Sequence, residues 1–177
     1  MDDFGLVLKA LAFAARKHRD QRRKDAEASP YINHPIALAD VLVNVGNIRD
    51  VSVICAALLH DTVEDTECTE DELVHEFGEK IAGIVMEVTQ DMARPKPERK
   101  QEEIAHARHL SPEARLVKLA DKISNLGDLA VSRPLGWSLE RTQAYFDHAR
   151  LVIDGVRGIS VELEAAFDAV LAQRPTA

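Results

Sequence analysis

The stretch from Val51 to Leu59 constrains this chain more than any other, because six apolar or small residues, Ile54 to Leu59, run without interruption into His60-Asp61. Val51 to Ile54 is the only β-branched run worth weighing as a strand, but its continuation into Cys-Ala-Ala-Leu-Leu reads as a buried helix. A helix that is apolar all round belongs in the interior. Its end then delivers an imidazole and a carboxylate from the core, where polar groups need partners.

Helical periodicity governs the rest, and the expectation is an all-α, compact multi-helix domain. A first helix is expected from about Asp3 to Arg23, with Phe4, Val7, Leu11, Ala14 and Ala15 on its inner stripe and His18 continuing it. A polar loop over 25–30 leads to a second helix with Pro35 at its first position, His34 at its mouth and its end near Gly46. Asp50 caps the apolar third helix, and Thr69 with Glu72 forms a capping box for a short helix ending at Gly78. Ile81, Ile84, Val85 and Val88 mark another helix. After Pro95 and Pro97, the segment from Glu98 to His109 is polar nearly all round and reads as a surface helix or a mobile piece. Ser111-Pro112 opens a helix with Leu116, Val117, Leu119, Ala120 and Ile123 inside, and Ser138 and Ser160 cap the last two.

A length of 177 residues, 46% of them hydrophobic, fits one domain over 1–177 and leaves no room for a second catalytic one. No segment approaches 18 uninterrupted apolar residues, so no membrane helix is expected, and the acidic start Met1-Asp2-Asp3 does not resemble a secretory leader. Cys55 and Cys68 read as reduced thiols of a cytoplasmic protein. The net charge of -8 argues against a nucleic-acid surface. An anionic ligand must therefore meet local cations, available at Arg22-Arg23-Lys24, at Lys96, Arg99 and Lys100, and at Arg141.

His60-Asp61 gains meaning from its company. His34 follows a turn, Asp121 is an acid inside an apolar helical stretch, and Glu64-Asp65 comes three residues beyond Asp61. A lone core acid is costly unless it is charged and coordinated. Two histidines and two aspartates leave room for waters on a borderline cation such as Mn²⁺, with Fe²⁺ or Zn²⁺ also suited, while Glu64 can take the proton of an attacking water. That pattern is hydrolytic. His75, His106, His109 and His148 read as surface residues, His18 as a hydrogen-bonded core group, and Trp137 as a packing anchor.

Arg22-Arg23-Lys24-Asp25, Pro30-Tyr31-Ile32-Asn33-His34-Pro35, Ala56 to Asp65 and Leu116 to Lys122 stand in an order and spacing that resembles the HD-domain hydrolases of the RelA/SpoT type. The likeness is greatest to the small stand-alone members, the metazoan SpoT homologue and the bacterial small alarmone hydrolases. It continues through Pro95-Lys96, Glu98-Arg99-Lys100, Asn125, Gly136-Trp137 and Tyr145-Phe146, and so spans essentially the whole chain. This resemblance implies metal ligation by His34, His60, Asp61 and Asp121, usually of Mn²⁺, and a catalytic dyad of Glu64 and Asp65. It implies a nucleotide site lined by Arg23, Lys24, Tyr31, Lys96, Asn125, Arg141 and Tyr145. The activity implied is cleavage of the 3′-pyrophosphate of ppGpp or pppGpp, with no synthetase or regulatory domain. A 2′-phosphatase acting on NADPH, a general HD-type nucleotidase and a non-catalytic nucleotide sensor are the competing readings; an intact acidic dyad has a chemical use only in a hydrolase.

Overall fold

In the computed structural model, which describes residues 2–176, the apolar run forms helix α3 (Val51–Leu59), with Val53 through Leu59 all buried. Asp50 caps it by accepting from the Ser52 amide at 2.8 Å. Four helices surround it: α1 (Asp3–Lys17), α2 (Asn33–Asp40), α6 (Glu79–Val88) and α8 (Pro112–Val131). The short helices α4 (Thr62–Asp65) and α5 (Glu70–Phe77) follow α3 in the chain. Helix α7 (Lys96–His106) packs on α9 (Leu139–Asp154), while α9 and α10 (Val161–Leu171) pack on α8. The architecture is all-α. Among the described residues there is no strand, only an isolated bridge between Arg22 and Pro30, and no helix is long and apolar enough to cross a membrane.

Helix α1 ends at Lys17 and not at Arg23. The good helix formers in 18–23 are overridden by pairing: Arg23 N–H donates to Ser29 O at 2.8 Å, Tyr31 N–H to Gln21 O at 3.1 Å, and Asp25 accepts from the amides of Glu27 and Ser29. The inner stripe of α1 is also rotated from expectation. Ala10, Phe13, Ala14 and His18 are buried, whereas Phe4 is 72% exposed. Pro35 is the third residue of α2, still within the first turn where no donor is missed. Helix α2 then widens into a π-helical turn, Val41–Val45, closed by Gly46 N–H to Val41 O at 2.9 Å. Glycine is required there, since a Cβ would lie within 2.9 Å of the Leu163 side chain.

Only half of the expected capping box forms, because Glu72 gives its amide to Thr69 but turns its carboxylate to Lys17 Nζ at 2.8 Å. The polar segment after Pro95 is an ordered helix that starts at Lys96 and ends in a 3₁₀ turn, Ala107–His109. Helix α7 has no fully buried residue, and what fixes it is ionic. The Glu103 carboxylate reaches Lys122 Nζ at 2.8 Å, Lys118 Nζ at 3.3 Å and His148 Nε2 at 2.8 Å. His148 is thus not a surface residue but a half-buried partner of Glu103. Burial alone would raise the Glu103 carboxyl, yet the ammonium groups of Lys122 and Lys118 hold it well below the usual carboxylate range.

Glu103→Leu is expected to destabilise the protein by about 3–5 kcal/mol in urea titration, because it strands two buried ammonium groups. The acid dependence carries a definite sign. A depressed carboxyl contributes stability that is complete above its unfolded value of about 4.3 and is lost as pH falls through the lower folded value. Glu103→Gln is therefore expected to flatten the stability profile below about pH 4.3, a change that urea midpoints read at a series of pH values would detect.

Candidate functional site

Three elements aim ligand atoms at one point. His60 closes α3, and its Nδ1 donates to Ala57 O at 2.8 Å, which turns Nε2 inward. His34 stands in the first turn of α2, with Nδ1 3.3 Å from Ser124 Oγ. Asp121 sits mid-way along α8 among buried Leu119, Ala120 and Ile123. Ligand atoms of His34, His60 and Asp121 all lie within 4.8 Å of one another. Asp61 stands beside this cluster and outside it, its Oδ2 lying 2.9 Å from His60 Nε2 and 3.8 Å from His34 Nε2.

These residues fit a divalent cation. Among the described residues His60 Nε2 is buried with no hydrogen-bond partner, although Asp61 Oδ2 is 2.9 Å away: the two atoms lie side by side, as co-ligands do. The wall of this cavity, about 310 Å³, carries five carboxylates (Asp61, Glu64, Asp65, Glu103 and Asp121) against three lysines (Lys24, Lys118 and Lys122). A double positive charge would balance it. In the ion-free protein burial works against charging His60, but Asp61 and Asp121 overcome it and raise the imidazole to about 9. Burial also opposes the charge on Asp121, whose carboxyl is nonetheless held well below its usual range by Lys122 and His34.

The remaining contacts orient the two aspartates. Tyr31 donates its hydroxyl to Asp61 Oδ2; burial and then Asp61 push that phenol far above its usual range, so it stays a donor. Asn125 Nδ2 donates to Asp121 Oδ1 at 2.6 Å, and Lys122 Nζ lies 3.4 Å from Asp121 Oδ2. Such partners hold a ligating carboxylate in one orientation.

Glu64 and Asp65 share the single turn of α4 and both face this cavity. Glu64 Oε2 accepts the Gln90 amide at 3.0 Å, leaving Oε1 free. Burial raises the Glu64 carboxyl, with Asp61 and Asp65 adding to the effect and the Gln90 amide opposing it. A raised carboxyl is a better proton acceptor than an ordinary one. Asp65 Oδ2 accepts from Gln21 Nε2 at 2.8 Å.

A larger cleft of about 640 Å³ adjoins the metal cavity, and Lys24, Tyr31, His34, Asp65, Asn125 and Tyr145 line both. Arg23 lines the larger cleft, held by Asp128. Burial pushes the Tyr145 hydroxyl up to about 12, so it is a neutral donor. Lys96 and Arg141 line neither cavity. Arg141 lies over the Trp137 ring at 4.2 Å, and Trp137 lines the cleft, so this residue is both packed on the core and part of the ligand wall. Lys96 is exposed, and its ammonium is lowered by partial burial and then by Arg141, Lys100, Lys24 and Arg99, a cluster of cations lacking enough local acid.

Sequence reasoning passed over Lys118, Lys122 and Glu103, which line the metal cavity, and Gln21 and Gln90, which hold the dyad. The lysines had a usable signal: they stand four apart in the same apolar stretch that singled out Asp121. The glutamines had none, since their role depends on contacts with α4.

A family model described as HD domain matches residues 10–160. The guanosine-3′,5′-bis(diphosphate) 3′-pyrophosphohydrolase MESH1 of Homo sapiens is 51% identical over 168 residues, covering 95% of this chain and 94% of that protein. Its Danio rerio counterpart is 50% identical over 169 residues, covering 96% and 94%. A solved structure of a metazoan orthologue of SpoT, one that hydrolyses ppGpp and plays a role in starvation responses, superposes with a TM-score of 0.93 at 44% identity, covering 96% of this chain and 95% of that one.

If His60 and Asp121 hold the ion and Glu64 does not, substitution separates them. Asp121→Ala and His60→Ala are expected to lose bound divalent ion, assayed by elemental analysis of dialysed protein, whereas Glu64→Gln keeps it. Equal loss in all three would make Glu64 a ligand. Manganese is expected to raise the melting temperature of the native chain more than magnesium does, because imidazole ligands favour the softer ion.

Proposed function

The chain belongs to the HD domain family, and from that premise we propose that it is a metal-dependent hydrolase that removes the 3′-pyrophosphate of (p)ppGpp, giving GDP or GTP and pyrophosphate. The observation that carries this reading is a conjunction. Near full-length similarity to 3′-pyrophosphohydrolases coincides with a carboxylate dyad, Glu64 and Asp65, set between a divalent-metal site and a cleft bordered by cations.

The ion, which we take to be Mn²⁺ held by His34, His60, Asp61 and Asp121, would polarise a phosphoryl oxygen and acidify adjacent water. Glu64 takes the proton of the attacking water at Oε1, since Oε2 is fixed on the Gln90 amide. Asp65, held by Gln21, orients water or the ribose hydroxyl at the junction of the two cavities. Water adds to the 3′ phosphorus, the bond to the ribose 3′-oxygen breaks, and that oxygen leaves with a proton. Arg23, Lys24, Lys96 and Arg141 supply positive charge for the phosphates in a protein of net charge -8, while Tyr31, Asn125 and Tyr145 contact the nucleoside. The larger cleft is of a size that holds one small molecule. The described residues make up one hydrolase unit around one core, and a cytosolic setting fits the free thiols of Cys55 and Cys68.

Purified protein with Mn²⁺ is expected to convert ppGpp to GDP and pyrophosphate, and Glu64→Gln to lower kcat by about 10²–10⁴-fold at unchanged metal content. Lys24→Ala is expected to raise KM for ppGpp roughly tenfold, the value of one charged contact of about 1.4 kcal/mol, and Arg141→Ala, whose guanidinium lies over Trp137 outside the cleft lining, to raise it by less. The same variants assayed on NADPH and a guanosine 5′-nucleotide locate the preference, with ionic strength held constant. A kcat/KM highest for NADPH or for the 5′-nucleotide would replace the alarmone reading with that substrate.

A further inference from the structure

His18 is 2% exposed at the C-terminal end of α1, and no role in ligating or phosphate binding falls to it. Its Nδ1 lies 2.6 Å from Gln21 Oε1, and Gln21 Nε2 in turn donates to Asp65 Oδ2 at 2.8 Å. The directions in this chain are forced. Above its pKa a carboxylate only accepts, so Gln21 must present its NH₂ to Asp65 and its carbonyl oxygen to His18. The imidazole must then carry its proton on Nδ1. Its other nitrogen, Nε2, is buried with no partner among the described residues. A buried polar atom without a partner costs stability unless something is gained by the orientation that strands it.

We propose that His18 is a positioning residue for the reaction: through its Nδ1–H it locks the Gln21 amide in the one orientation that offers a donor to Asp65. This rests on the reading of Asp65 as half of the catalytic dyad. An amide free to turn over would present its oxygen to the carboxylate, repelling it and releasing Asp65 from the junction of the two cavities. A second contact sets His18 behind that wall: its ring packs at 4.8 Å and 32° on Tyr31, the residue that donates to Asp61. Packing on Tyr31 and hydrogen bonding to Gln21 are separable by substitution. His18→Phe keeps a ring against Tyr31 and removes the donor, whereas His18→Asn removes the ring and puts an amide N–H where Nδ1–H stood.

Positioning through Gln21 makes the asparagine variant the better enzyme. His18→Phe is expected to lower kcat for ppGpp by about 10–100-fold, the range found when a group that orients a reactive one is removed, with KM and metal content within about twofold. His18→Asn is expected to recover to within about threefold of the native kcat. The opposite order, or an equal loss in both, overturns the proposal in favour of a packing role. In an Asp65→Asn background the effect of His18→Phe is expected to vanish, because the acceptor that the relay serves is gone; an undiminished effect there overturns it. Asp65→Asn alone tests the underlying reading: full activity in that variant removes Asp65 from the dyad whatever His18 does. Independently of turnover, long-range ¹H–¹⁵N correlation on the ¹⁵N-labelled native protein is expected to find His18 protonated at Nδ1, and a proton on Nε2 alone would refute the relay.

Discussion

Asp61 and Asp121 are brought within reach of the same two imidazoles in the interior, and the helices can close in this way because the carboxylates there are matched by positive charge. Every neighbouring choice follows from that demand. Helix α3 is apolar all round so that His60 and Asp61 emerge at the middle of the fold, and α8 carries Asp121 on a face otherwise packed against the core. Tyr31 and Asn125 each contact the carboxylate oxygen that faces the imidazoles, and Lys122 the other oxygen of Asp121, so both carboxylates are held in place.

The same back-support links recognition to chemistry. Arg23 in the larger cleft reaches Asn125 at 3.4 Å, and Asn125 reaches Asp121 at 2.6 Å, so a group that engages Arg23 acts on a chain that ends at the Asp121 carboxylate. The dyad is held likewise by two glutamines, by different means. Gln90 uses its backbone amide on Glu64 while its side chain is held by Arg99 at 3.1 Å, whereas Gln21 uses its side chain on Asp65. A backbone donor is fixed by the fold; a side-chain amide needs a neighbour to choose its face.

How much of this was legible in the sequence depended on whether the deciding contact was local. The apolar run into His60-Asp61, the caps at Asp50, Ser111, Ser138 and Ser160, and the acid at 121 are local patterns, and the helices they imply are present. The end of α1 was not legible, because helix-forming residues at 19–23 are diverted by pairing with 29–31. Phe4 was misplaced since a single α1 turn could face either way until α3 packed against it. His148 looked like a surface residue because its partner lies 45 positions away on a helix whose polar pattern gives no inner face. The grouping of His34, His60 and Asp121 was visible as residue types; Lys96 and Arg141, chosen as phosphate cations, lie beyond the linings of both cavities, a distinction that spacing alone does not carry.

Helix α7 is joined to the body by Glu103, Lys118, Lys122 and His148, with Ile104 as its one large apolar residue against the core. Attachment by charge has a different thermal character from attachment by apolar area. Apolar burial gives unfolding its large positive heat capacity, and hence the curvature with which a core's stability falls away on cooling and on heating. An ionic dock that buries little apolar surface adds almost nothing to that curvature. Over the range in which the stability of the α3–α8 core bends, the hold of α7 on the wall of the smaller cavity changes along a nearly straight line.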